Sequence, residues 1–301
     1  MQSFLRDFFG RPYLLLTLTS LFWAGNIVLG RYAAGHVPPL ALSFVRWCGA
    51  FLILIGFAWP LLRRDWSKIR AHLGVLLLLT LSGITIYNWL AYSALQYTQA
   101  LNALLIASMQ PLLVACWSMI LYRERLTKWQ ALGVALSLLG VLVVIARGDL
   151  SILKDVRFNY GDLAFFVAQT VYAFYSTLLK SRPSIHPLSF LAFTIGMGAV
   201  MLSPAYIYTW PESSFPLDWK SAAILGYITL FPSLVAYLFF NRGVELIGPN
   251  RAAPFYHLIP VFGSALAIVF LGERPALFHA IGYALVLCGI YIGTRGQAKS
   301  A

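Results

Sequence analysis

Apolar runs separated by short polar interruptions repeat along the whole 301-residue chain. A helix rises about 1.5 Å per residue, so about 20 apolar residues cross the hydrocarbon core of a bilayer. Ten segments meet that length: 12–33, 38–62, 71–95, 99–122 and 126–146, then 160–180, 186–209, 218–242, 248–271 and 275–294. Pro12, Pro38, Pro39, Pro187 and Pro275 stand near helix starts, where a missing N–H costs nothing. The pattern predicts an all-α polytopic membrane protein with ten transmembrane helices.

The pattern is written twice. LYRERLTKWQALGVALSLLGVLVVIARG, from Leu121 to Gly148, and FLGERPALFHAIGYALVLCGIYIGTRG, from Phe270 to Gly296, superpose at an offset of 149. Glu124 then falls on Glu273, Arg125 on Arg274, Gly133 on Gly282 and Gly140 on Gly289. The same offset carries Trp23 onto Tyr172, Asn88 onto Tyr237 and Pro111 onto Pro260. Self-similarity at a fixed period marks a duplicated unit. The expected units are 1–146 and 160–301, the second with a short cytoplasmic tail, joined by an extracytoplasmic linker at 147–159. Five helices per unit is an odd number, so the two units enter the membrane from opposite sides. Such inverted repeats commonly build a transport site at their interface near the midplane.

Loop charge sets the expected orientation. With the N-terminus inside, fifteen Lys and Arg fall on the cytoplasmic side, six outside, and Arg46 lies within a helix. The split favours both termini in the cytoplasm. The run from Pro12 to Ala33 is too long and too polar, with Asn26 and Arg31, for a cleaved signal.

Composition removes other classes. Sixty percent of residues are apolar and 11% charged, a balance no water-soluble fold could bury. The net charge of +12 is dispersed between the apolar runs, without a strip or motif that reads nucleic acid. Cys48, Cys116 and Cys288 lie in apolar segments without metal-ligand spacing. There is no GxSxG, no HExxH and no pair of midplane aspartates, so neither an enzyme nor a cofactor is expected.

RERLTKWQALGVALSLLGV and GERPALFHAIGYALVLCGI resemble the end-of-repeat pattern of EamA-type carriers of the drug/metabolite transporter superfamily. LSFVRWCGAFLILIGF, with Arg46, is similar to that family's second helix, and the prolines of the fourth and ninth helices fit as well. Within the family the chain looks most like the aromatic amino-acid exporters. The resemblance implies a carrier in a bacterial-type cytoplasmic membrane. Helices 1, 3, 4, 6, 8 and 9 would enclose a central cavity, with helices 5 and 10 outside.

The residues add the chemistry. All ten acids lie in loops or near helix ends, and Asp162 is placed to cap the sixth helix. Arg46 is the one basic residue well inside a helix; snorkelling or pairing with carbonyls is the expected explanation, with a functional role, the default for an intramembrane ionisable residue, as the alternative. Neutral polar residues instead form stripes within apolar helices. Asn26, Asn88, Asn102, Gln110 and Gln169 are candidate ligand-binding amides, with Trp23, Tyr92, Trp117, Tyr172 and Tyr237 as candidate stacking partners. An amide offers a donor and acceptors together, so a neutral lining can meet a zwitterion. Interhelical hydrogen bonding competes as an explanation for each amide, and a satisfied core residue competes for His257, the remaining candidate. Pro111 and Pro260 should kink the fourth and ninth helices and are candidate gates.

The expected function is export of small amphipathic metabolites, chiefly amino acids including aromatic ones, through a neutral aromatic-lined cavity. Drug or nucleoside efflux is the alternative within the superfamily, and a non-transporting scaffold or receptor the alternative outside it. The partners are the small solute and the lipid bilayer, with no nucleic acid. Internal duplication makes a monomer sufficient.

Overall fold

A computed structural model describes residues 7–33, 37–98, 100–149, 151, 157, 159–212, 214, 218–271 and 276–295. All regular structure among them is helical, arranged as ten rods. In the first half these are α1 Pro12–Ala33, α2 Pro39–Ala71, α3 Leu73–Ala94, α4 in two pieces (Ala100–Ala107 and Gln110–Tyr122) and α5 Lys128–Ile145. In the second half they are α6 Tyr160–Ser181, α7 Pro187–Tyr208, α8 Trp219–Ile247, α9 in three pieces (Pro249–Ala252, Ala253–His257 and Leu258–Leu271) and α10 Leu277–Arg295. Eight of the rods are long and apolar enough to cross a bilayer.

The packing follows the duplication. α1 lies on α8 and α3 on α6, which is one contact repeated by exchanging the halves; α1 on α9 and α6 on α4 is a second. α2 packs on α7 and α5 on α10, each pairing an element with its own counterpart. The two halves are therefore related by a pseudo-two-fold axis, and the six pairs meet around it.

Glycines set the α5–α10 seam. A Cβ on Gly133 would lie 2.5 Å from the Gly289 carbonyl oxygen, and one on Gly140 would lie 2.7 Å from the Gly282 carbonyl oxygen. These are backbone atoms of the facing helix, so the two helices touch main chain to main chain, as small residues allow in membranes. Both helices of the pair also pack against the Ala253–His257 stretch, where Ser137 of α5 meets His257.

α2 runs nine residues beyond the expected end at 62. The apolar pattern stops at the bilayer surface, but the helix does not. Its polar turns dock on the α6–α7 connection. Ile69 is fully buried, Asp65 accepts from the backbone N–H of His186 at 2.8 Å, and Lys68 donates to the Ser184 carbonyl at 3.3 Å. Asp65 thus satisfies one of the orphan donors at the start of α7.

The prolines correct another expectation. Neither α4 nor α9 is a kinked continuous helix. α4 stops at Ala107 and restarts at Gln110, leaving Pro111 in the opening turn of its second piece. α9 passes through a 3₁₀ stretch at Ala253–His257, and Pro260 again falls in an opening turn. There a proline lacks only an N–H that has no helical partner anyway.

Candidate functional site

Two further irregularities share the duplication. α3 contains a π-helical turn at Leu81–Thr85 and α8 one at Thr229–Val235; adding 149 to 81–85 gives 230–234, inside the second. A π-turn frees carbonyls from the regular ladder, and such bulges recur at functional sites. In α8 the cause is Pro232, which cannot donate; Ser233 Oγ instead donates to the Ile228 carbonyl at 2.7 Å. In α3 the turn is held by its surroundings. Gly83 lets the Tyr175 ring come within 2.4 Å of where a Cβ would be, and Gly198 of α7 makes room for Ile84.

Carbonyls of the α3 π-turn receive two of the expected site residues. Asn88 Nδ2 donates to the carbonyls of Gly83 (3.2 Å) and Ile84 (3.0 Å), and Tyr237 Oη donates to Gly83 at 2.6 Å. Asn88 and Tyr237 are repeat counterparts, and here they meet on one oxygen. In α8, Trp23 Nε1 donates to the Pro232 carbonyl at 3.3 Å.

Around these turns the rings of six helices pack together. Trp23 stacks on Tyr256 at 5.5 Å between centroids and meets Tyr172 and Tyr237 edge-on at 5.9 and 6.0 Å. Tyr87 closes on Tyr172 at 4.3 Å, and Trp47 meets Tyr237 edge-on at 5.3 Å. Trp23 and Tyr172, related by the 149 offset, face each other across the axis. The expected open chamber is filled by its own rings. The gap lined by Trp23, Phe240, Phe255 and Tyr256 holds no water-sized space. Offset and edge-on contacts are favourable for aromatic quadrupoles, so the rings hold one another in place.

A polar group caps the rings toward the end opposite the termini. Arg46 Nε donates to Ser233 Oγ at 2.9 Å, and Nη1 donates to Tyr92 Oη. Tyr92 and Asn26 share a hydrogen bond at 3.3 Å. The guanidinium lies 4.4 Å from the centroid of the Trp47 ring. The expectation of an uncharged lining is therefore corrected: a full positive charge adjoins the rings. Its signal in the sequence was the isolation of Arg46 in an apolar helix that lacks an acid to pair with. Ser233 stood out on the polar stripe of the eighth helix with Tyr237 and Asn241; Trp47 and Tyr87, which complete the arrangement, carried no signal beyond lying beside Arg46 and Asn88.

Of the expected residues, Trp23, Asn26, Asn88, Tyr92, Tyr172 and Tyr237 thus converge. The others go elsewhere. Gln110, with its amide turned to satisfy its neighbours, donates to Gln169 Oε1 at 2.9 Å and accepts from the Ala173 N–H at 3.2 Å. Trp117 Nε1 donates to the Thr170 carbonyl at 3.0 Å. These three bind α4 to α6. His257 is fully buried; its Nε2–H donates to the Ser108 carbonyl (2.8 Å) and its Nδ1 pairs with Ser137 Oγ (2.6 Å). Ser108 and His257 are themselves 149 apart, so the breaks in α4 and α9 touch each other across the axis.

Asn102 belongs to a clasp at the far end. Its Nδ2 donates to Asp162 Oδ2 at 2.8 Å, Thr98 Oγ1 donates to Oδ1, and the Asn159 N–H donates to Oδ2 at 2.7 Å. Asn159 returns the bond as the N-cap of α6, a capping box. Asp162→Ala leaves these donors without their acceptor and should destabilise the protein by about 1–3 kcal/mol. Thermal unfolding in detergent checks this; Asp162→Asn should lose less. The near end is tied by charge: Glu245 accepts from Arg182 and Arg242, each at 3.0 Å, and Lys180 pairs with Glu124. Hydrogen bonds to Asp162 thus tie one end of the bundle and ion pairs the other.

The sequence profile of the EamA-like transporter family matches residues 10–146 and again residues 159–295. The chain belongs to the EamA-like transporter family. A Bacillus subtilis (strain 168) protein described as "Uncharacterized transporter YyaM" is 28% identical over 92% of this chain and 92% of its own length. An Archaeoglobus fulgidus protein described as an uncharacterized transporter is 27% identical over 95% of this chain and 98% of its own. A solved crystal structure of 20% identity superposes with a TM-score of 0.73, covering 93% of this chain and 95% of that one; this likeness concerns the fold. This EamA-like protein is a multi-pass membrane transporter, and the ring group lies on the axis between its two family repeats.

Proposed function

We propose that this transporter exports small amphipathic metabolites, foremost amino acids including aromatic ones, from the cytoplasm across a bacterial-type cytoplasmic membrane. The reading assigns the site to Trp23, Asn26, Asn88, Tyr92, Tyr172 and Tyr237, and the movement to the broken helices α4 and α9 with Pro111 and Pro260. The observation that carries it is the ring group on the axis, with amides and hydroxyls at its rim. A solute with a flat apolar side chain can replace ring–ring contacts with ring–ligand contacts of similar worth, about 0.5–1.5 kcal/mol each. Its polar end then exchanges hydrogen bonds with the rim.

Alternating access follows from the two tied ends. Releasing the Asp162 clasp opens one side, and parting Glu245 from Arg182 opens the other. The bonds that cross between the halves, Tyr237 to Gly83, Trp23 to Pro232 and Arg46 to Ser233, exchange as the halves rock. A single monomer contains both halves, so no second copy is needed.

Counterflow in proteoliposomes tests the proposal. Vesicles preloaded with unlabelled phenylalanine should accumulate radiolabelled phenylalanine transiently, and protein-free vesicles should not. Absence of counterflow for phenylalanine, tyrosine, leucine and threonine, alongside counterflow of uridine or tetraphenylphosphonium, would replace the amino-acid reading with a nucleoside or drug carrier.

A further inference from the structure

Arg46 is 2% exposed and, among the described residues, has no carboxylate within ion-pair distance. A guanidinium has five N–H donors. Two are engaged here, both by neutral hydroxyls, those of Ser233 and Tyr92. A charge buried without a counter-ion is costly, and such residues in membrane proteins mark pathways. The Trp47 ring offsets part of that cost. Tying α2 to α3 and α8 needs only hydroxyls and amides, which the protein uses at every other seam of the site.

The same face of α2 carries two more buried polar groups without partners. Ser43 Oγ and Trp47 Nε1 make no hydrogen bond, and both side chains are fully buried. Residues 43, 46 and 47 stand at i, i+3 and i+4, neighbours on one helix face. Buried donors left unpaired are rare in native proteins. Here two of them flank a lone cation, one contact from the ring group, because Trp47 also touches Tyr237. Ser233 lies in the π-turn beside Pro232, whose carbonyl holds Trp23, so whatever moves Arg46 also reaches the rings.

Resting on the transporter reading above, we propose that Arg46 receives a carboxylate of the transported solute and so restricts the cargo to carboxylate-bearing molecules. Arg46 is parked on Tyr92 and Ser233 when the site is closed. An incoming carboxylate takes up the guanidinium in the bidentate geometry that suits both groups, while the solute's apolar side chain enters among Trp23, Tyr172 and Tyr237. The site would then reject cations and neutral isosteres that lack the acid. Such solutes leave Arg46 without an anion and gain only the ring contacts.

The experiment uses purified full-length protein in liposomes and four probes sharing one phenylethyl skeleton: phenylalanine, 3-phenylpropionate, phenylalaninamide and 2-phenylethylamine. Each competes against radiolabelled phenylalanine in counterflow, and each is also assayed by direct binding. The two carboxylates should bind about ten- to a hundredfold more tightly than the amide and the amine, the range expected for one charge-assisted pair. Arg46→Gln should bring the four probes to nearly equal affinity, and Arg46→Lys should restore part of the difference. A purely structural Arg46 would weaken all four together. If the amide and the amine bind as well as the acids while phenylalanine counterflow persists, the transporter reading stands and this inference falls. If none of the four binds or exchanges, the amino-acid reading fails and this inference with it. Should Arg46→Gln not fold, the ranking in the unaltered protein decides alone.

Discussion

Gly133→Val is expected to yield little folded protein, and it should be the most damaging single replacement in the helix bundle. At Gly133 an added Cβ meets the Gly289 carbonyl oxygen at 2.5 Å and the Gly293 Cα and N at 2.6 Å. All three are main-chain atoms of α10, so no rotamer change relieves the clash. Overpacking typically costs about 1–3 kcal/mol where side chains can shift; here the whole helix must move, and the cost should exceed that range. The facing glycine predicts the same of Gly289→Val, whose Cβ would sit 2.5 Å from the Ser137 N and 2.6 Å from the Gly133 carbonyl oxygen. Gly226→Ala is the control. Nothing lies within 4 Å of its added Cβ, so the exchange should be neutral or stabilise by up to about 1 kcal/mol through helix propensity. Fluorescence-detected gel filtration and thermal unfolding compare the three. A Gly133→Val protein that elutes and melts like the original would mean that α5 and α10 do not touch main chain to main chain.

Asn88→Leu combined with Tyr237→Phe should stop counterflow, while each single change leaves part of it. The two side chains donate to the same Gly83 carbonyl. Either alone still satisfies that oxygen, so each single loss should cost about 1 kcal/mol. The double loss removes both side-chain donors from a buried carbonyl of the π-turn, for about 1–3 kcal/mol more than the singles add to. Coupling of that sign distinguishes a shared acceptor from two independent contacts. Rates and melting points of the four proteins close the cycle. Simple additivity would show that Asn88 and Tyr237 do not hold the turn together.

Much of the candidate site was legible because polar atoms in an apolar helix need partners. Asn88, Tyr92 and Tyr237 stood out on that ground, and they converge. The same rule marks Asn102, Gln110 and His257, which are equally polar and equally buried. A helix face says that a partner must exist without saying whether it is a neighbour or a ligand. Arg46 was misweighed for the opposite reason. Snorkelling explains an isolated arginine when its surroundings are unknown; contacts with Ser233 and Trp47 replace that explanation.

The sequence by itself determined the helical class, the membrane environment, the duplication and the inversion of its halves. Those follow from hydropathy, length and an odd helix count, which are properties of single segments and their order. Only the tertiary structure decided where the helices break, that Asn88 and Tyr237 share one carbonyl, that the rings fill their own chamber and that a cation adjoins them. Those depend on which faces meet across the axis. Residues 149 positions apart in the sequence become contacts only when the two halves close on each other.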